Sequence, residues 1–316
     1  MKAIRAAVIG VGHLGRHHAA KYARHPRAEL VGVVDVATDR REAVAEEFGV
    51  QGFANHEEIL DRVDCVSIAV PTALHYPIAR DCLDSGVDVL VEKPLTATVD
   101  EGKALVEFAV QSDRILQVGH LERFNPAIRY LQQIIDNPRF IECHRLALFG
   151  ERGTDVDVVL DLMIHDLDLV LSMVSSSVRA VEAVGVPVLT SNVDIANARI
   201  RFANGCIANL TSSRVSSKRE RKMRIFQPNA YIAVDCDVPH VRVCRRLENG
   251  ADGPSLSVSD VDVDDGDALA DEISAFIDAV AQHSTPAVTA WDGLKVLEVA
   301  HTIVECMTTE VRAVPS

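Results

Sequence analysis

A short apolar strand that runs into three glycines, with a carboxylate at a set distance downstream, constrains this chain more than any other feature. Ala3-Ile4-Arg5-Ala6-Ala7-Val8-Ile9 leads into Gly10-Val11-Gly12-His13-Leu14-Gly15, and twenty residues later the run Leu30-Val31-Gly32-Val33-Val34 ends in Asp35. Each part has a physical role. Gly10 allows a tight turn out of the strand, Gly12 lets backbone approach a pyrophosphate, and Gly15 lets the following helix pack close to the sheet. The helix N-terminus would face the phosphates, so Gly10, Gly12, His13, Leu14 and Gly15 are candidate cofactor contacts. Asp35 can accept hydrogen bonds from a ribose diol and would repel a 2′-phosphate, which predicts NAD. Arg40 and Arg41 follow closely and could accept that phosphate, leaving NADP as the alternative.

Up to about residue 120 the pattern alternates. Strand-like runs at 3–9, 30–34, 65–70, 88–91 and 115–118 are separated by helix-like stretches at 16–24, 40–48, 57–60, 73–85 and 99–112. Such alternation predicts a doubly wound parallel sheet covered on both faces. Beyond about 125 the character changes. An apolar helix over 156–174 precedes strand-like runs at 178–189, 194–202, 206–214, 222–226, 231–235 and 240–246, with Asn204-Gly205 as a hairpin signal. Runs of strands joined by short turns predict an α+β unit with an open antiparallel sheet. The expected division is 1–122 for a Rossmann domain and 123–316 for a substrate-binding domain, its last helix able to pack back on the first. The segment 248–272 holds nine acids and no base and reads as a solvated loop, followed by helices over 269–281 and 292–307.

The net charge of −14 argues against nucleic acid as a partner. No apolar run approaches the ~20 residues of a membrane span, and the first residues carry no signal-peptide pattern. Seven scattered cysteines without a close Cys-x-x-Cys pair argue against disulfides and a structural zinc, which suits a reducing cytoplasm.

Two stretches carry candidate chemistry. Asp161, His165 and Asp168 recur at i, i+4 and i+7 on an otherwise apolar helix. Buried carboxylates are costly unless paired, so the stripe needs a partner or a task. His165 could exchange protons near neutrality with Asp161 orienting it, it could be a satisfied core histidine, or all three could ligate a metal. Glu92-Lys93-Pro94 closes a parallel strand, where open α/β sheets bind ligands. Its lysine could stabilise a deprotonating hydroxyl, or form a plain surface pair with Glu92. Pro71, Thr72 and His75 follow another strand end and could meet the nicotinamide side, where Glu92 and Lys93 are also candidate cofactor contacts, although His75 could equally be a surface residue at a helix start.

Together the glycine turn, Glu92-Lys93-Pro94 and the Asp161-x-x-x-His165 helix resemble the Gfo/Idh/MocA family of nicotinamide-dependent sugar and polyol oxidoreductases. The resemblance implies Lys93, Asp161 and His165 as the catalytic set, no catalytic metal, and Asp168 as a contact to sugar hydroxyls. It also implies a homodimer or homotetramer formed through the second sheet. Four segments, 12–18, 119–126, 153–158 and 224–227, resemble a branch of the family that oxidises the 3-hydroxyl of a UDP-N-acetylglucosamine-type nucleotide sugar on the way to a diamino sugar for lipid A. A diphosphate there would need cations. Arg123, Arg152, Arg214, Lys218 and Arg219 are candidates, with Asn125 beside Arg123 as a further substrate contact. The alternatives are a dehydrogenase of a free polyol or another sugar, and a non-catalytic NAD-sensing regulator.

Overall fold

A computed structural model describes residues 3–150, 156–250, 253–263 and 266–308. The chain divides into two compact units. The first ends at Leu121 and takes back Asp267–Leu297; the second runs Glu122–Gly266 and resumes at Glu298.

The first unit is built on β1 (Ile4–Ile9), α1 (His13–Arg24), β2 (Ala28–Val34), α2 (Thr38–Phe48), β3 (Gln51–Phe53), β4 (Cys65–Ile68), α3 (His75–Asp84), β5 (Asp88–Glu92), α4 (Val99–Gln111) and β6 (Leu116–Gly119). The six strands lie parallel in the order β3-β2-β1-β4-β5-β6. Every residue of β4, and all but Glu92 of β5, is buried, as expected of strands covered on both faces. Local signals set the helix starts. Thr98 and Glu101 form a reciprocal cap on α4, satisfying amides that a helix end leaves open.

Helix α7 (Ala268–Gln282), which the sequence places in the second domain, belongs to this first unit. Its Ile273, Phe276 and Ile277 enter the core formed by Ala6, Val8, Tyr22 and Leu90. Lys21 pairs with Asp267 and Arg27 with Asp278. Helix α8 (Ala290–Thr308) lies in the first unit as far as Leu297.

The second unit holds α5 (Pro126–Ile134), β7 (Phe140–Leu146), a π-helical turn (Val159–Met163) leading into α6 (Ile164–Met173), β8 (Val178–Val186), β9 (Ile195–Phe202), β10 (Ile207–Ser213), β11 (Glu220–Gln227), β12 (Ala230–Asp235), β13 (His240–Gly250) and β14 (Gly253–Asp262). The eight strands are ordered β14-β13-β12-β11-β7-β10-β9-β8, an open sheet. In β7, β9 and β10, buried residues recur at every second position, the period of a strand with one covered face.

The sheet is the open, mainly antiparallel one expected, with one parallel pair, since β7 runs parallel to β10 and antiparallel to β11. One expectation is corrected. The acidic segment is no loop over most of its length, since it includes β14, paired with β13 from His240↔Asp262 onward. The Asn204-Gly205 turn does join β9 to β10, with Gly205 at φ +85°. All seven cysteines are free.

Candidate active site

The glycine turn is built as its spacing requires. Gly10 sits at φ +85°, where a Cβ would also stand 2.6 Å from the Ala69 carbonyl oxygen. At Gly15 a Cβ would lie 1.8 Å from the Gly10 carbonyl oxygen, so only glycine lets α1 approach β1 this closely. Helix α1 starts at Gly12 with no side-chain cap and no acid in its first turn, which leaves its first amides suited to an anion. His13 and Leu14 are exposed at this end. Beside it opens a cavity of about 520 Å³ lined by Gly10, Gly12, Asp35, Arg40, Val70 and Pro71. Thr72 begins the short turn after Pro71 and is not part of that lining.

Asp35 at the rim of the cavity already has several partners. Oδ2 accepts the Val11 amide at 3.0 Å and Oδ1 the Ala37 amide at 2.9 Å. The Arg40 guanidinium meets both oxygens, at 2.9 and 3.0 Å. Arg41 turns to the Asp35 carbonyl oxygen at 2.9 Å. A ribose diol can therefore reach Asp35 only beside or in place of Arg40. The strained turn, uncapped helix, apolar-walled cavity and buried carboxylate fit a dinucleotide.

The second strand end carries the Glu92-Lys93-Pro94 corner, with a cis peptide between Lys93 and Pro94. Lys93 is half-buried. Its amide donates to Glu92 Oε2 at 3.3 Å, while Glu92 Oε1 lies 3.0 Å from His18 Nε2. Burial alone would push the Glu92 carboxyl up, but the His18 contact and the Lys93 charge bring it below its ordinary value. His75 takes a different part from the cofactor contact expected of it. It is buried, with Nδ1 2.8 Å from the Pro94 carbonyl oxygen and Nε2 3.0 Å from that of Val70. It thus staples the lysine corner to the preceding strand end, and burial lowers its titration.

In the second unit, Asp161 lies in the π-helical turn and His165 in the first turn of α6, both half-buried. Asp168 is fully buried and holds the Arg123 guanidinium at 2.6, 2.8 and 3.0 Å. The carboxylate expected to meet sugar hydroxyls thus also anchors an arginine. Asn125 caps α5 by accepting from the Ala127 amide, and it donates to the Cys236 carbonyl oxygen. Arg214 is buried and donates to the Val156 carbonyl oxygen at 2.8 Å, so it is not a surface cation for a diphosphate. Lys218 and Arg219 are exposed and paired with Glu220 and Asp237. Arg152 lies outside the described residues. Sequence reasoning missed Arg145, which is buried between Asp166 at 2.8 Å and Glu122 at 2.8 Å.

Residues 4–120 match the NAD-binding Rossmann domain of the Gfo/Idh/MocA oxidoreductases, and residues 128–232 match their C-terminal domain. The chain belongs to the Gfo/Idh/MocA family. This family member carries its NAD-binding half where the glycine turn and the Asp35 cavity lie. It is 41% identical over 282 residues to a UDP-N-acetylglucosamine 3-dehydrogenase of Acidithiobacillus ferrooxidans, covering 89% of this chain and 90% of that one. A solved structure of that organism's enzyme superposes with a TM-score of 0.91 at 39% identity, covering 97% and 98% of the two chains. A myo-inositol 2-dehydrogenase of Lactobacillus plantarum shares the fold, with a TM-score of 0.81 at 20% identity and 97% coverage of each chain.

Proposed function

We propose that this oxidoreductase converts the 3-hydroxyl of a UDP-N-acetylglucosamine-type nucleotide sugar to a ketone. The observation that carries the substrate is the likeness, along nearly its whole length, to an enzyme of that activity. The chemistry fits the residues present. NAD, when bound, supplies the hydride acceptor. Gly10, Gly12 and Gly15 admit its diphosphate and Asp35 its adenosine ribose. Lys93 donates a hydrogen bond to the reacting oxygen and disperses the charge that develops there. His165 takes the hydroxyl proton, with Asp161 one turn earlier supporting it. Arg123, fixed by Asp168, offers a cation to the substrate. The product's carbonyl suits an aminotransferase on the route to a diamino sugar of lipid A.

The reading includes a homodimer or homotetramer through the second sheet, supported by exposed Val184, Val186 and Phe226 on its strands. It also includes a cytoplasmic location, consistent with free cysteines and, among the described residues, no helix long and apolar enough to cross a membrane.

The test is to mix purified protein with NAD and UDP-N-acetylglucosamine, with a glutamate-dependent aminotransferase as carbonyl trap, and follow NADH. The expected result is NADH formation, with a 3-keto product identified by mass and NMR. Lys93→Ala should lower kcat on the order of 10³-fold while NAD affinity holds. NAD binding without turnover of this sugar, but with turnover of a free polyol, would replace the substrate. Binding of both ligands without any turnover would point to a sensor.

A further inference from the structure

A residue of α1 that lies outside the glycine motif grips the lysine corner from below. His18 is 1% exposed. Its Nε2 lies 3.0 Å from Glu92 Oε1, and its Nδ1 lies 3.1 Å from Ser67 Oγ on β4. Ser67 Oγ in turn lies 2.8 Å from the Tyr22 hydroxyl, one turn further along α1. Both Ser67 and Tyr22 have no exposed surface.

One arrangement of protons gives every group in the row a partner. Burial pushes the Tyr22 phenol well above its usual value, so it keeps its proton. With Tyr22 donating to Ser67 and Ser67 donating to His18 Nδ1, the imidazole places its one proton on Nε2, aimed at Glu92. Every donor and acceptor in the row then has a partner. The order Ser–His–carboxylate is also that of a hydrolytic triad, but a serine with no exposed surface cannot meet a substrate. The relay therefore works on Glu92.

Glu92 is fixed from the side as well. It stands opposite Gly119 in the β5–β6 register, where a Cβ would lie 3.2 Å from both its carboxyl carbon and Oε2. Among the described residues, titratable groups near this carboxylate include Lys93 next to it in the chain, His75 of α3 and Glu272 of α7, one of whose oxygens lies within 4.8 Å of the His18 and Glu92 ligand atoms.

We propose that His18 is a positioning residue for Lys93. It holds Glu92 ionised and in one orientation, so that the adjoining ammonium is charged and aimed when the sugar hydroxyl ionises. The proposal rests on the Lys93 role given above.

Steady-state kinetics across pH, with NAD affinity measured separately by calorimetry, tests it in the full-length protein. His18→Leu removes the donor, and burial should then raise the Glu92 carboxyl. The expected result is a kcat lower by about 10- to 100-fold, an acid limb of the kcat profile moved to higher pH, and NAD affinity within about twofold of the parent. His18→Gln places an amide N–H near the Nε2 position and should recover most of kcat and return the acid limb. Tyr22→Phe, which frees Ser67 from its donor, should move kcat and the limb slightly in the Leu direction and serves if the Leu protein does not fold. An unmoved acid limb in the Leu and Phe variants, or a Gln variant no better than Leu, would overturn the proposal. Lys93→Ala in parallel separates the two readings: if it retains turnover, the lysine assignment itself fails and this proposal fails with it.

Discussion

Asp35 and Arg40 face one another across the rim of the dinucleotide cavity, and their pairing sets how the site chooses its cofactor. The Arg40 guanidinium covers both carboxylate oxygens of Asp35. It occupies hydrogen-bonding capacity that a ribose diol needs, and it stands ready for a 2′-phosphate. Arg40→Ala should therefore sharpen the preference for NAD, with NADP affinity falling about tenfold, the scale of one charge-assisted contact. Asp35→Ala should weaken NAD and release Arg40 toward NADP. Calorimetric titration of both cofactors checks the pair. His75 makes a second residue-scale prediction. Its folded value is depressed by burial, so the unfolded chain takes up a proton first. Its contribution to stability is present above the unfolded value of about 6.5 and is lost as pH falls through the folded value. His75→Gln should flatten the stability profile across that window in urea melts. Gly10, Gly15 and Asp35 were legible in the sequence because backbone geometry restricts what can stand there. Asp168 and His75 were not, because their partners, Arg123 and the Pro94 carbonyl oxygen, are 45 and 19 residues away with no local mark.

Among elements, one strand missed by sequence reading lies in the middle of the second sheet. β7 turns Ile141, Cys143 and Arg145 inward, and the arginine breaks an apolar alternation that would otherwise have announced a strand. Its charge is met by Asp166 of α6 and by Glu122, an arrangement spread over three stretches of chain. Arg145→Met should leave two buried carboxylates without their cation and cost about 3–5 kcal/mol, read from urea denaturation. Asp166, already raised by burial, would then be pushed further up by losing that cation. The acidic run misled for the opposite reason. Two of its acids, Asp260 and Asp262, sit on an edge strand, where charge discourages pairing with other chains, and they meet Arg242 and His240 across the hairpin. Composition alone cannot distinguish a charged edge from a loop.

At the scale of the whole chain, the change from alternating strands and helices to successive strands separates two architectures, and that change is visible in the residues. The return of the chain is not. Helix α7 shows an apolar face through Ile273, Phe276 and Ile277, but an amphipathic helix does not name the surface it will cover. It covers the first unit, next to Tyr22 and Leu90. Most of the second unit, Glu122–Gly266, is thus inserted in the chain of the first, and the rest follows from Glu298. A ribosome making this protein releases all six strands of the cofactor sheet long before it has made the helix that closes their core, so the earliest-synthesised half is among the last to be completed.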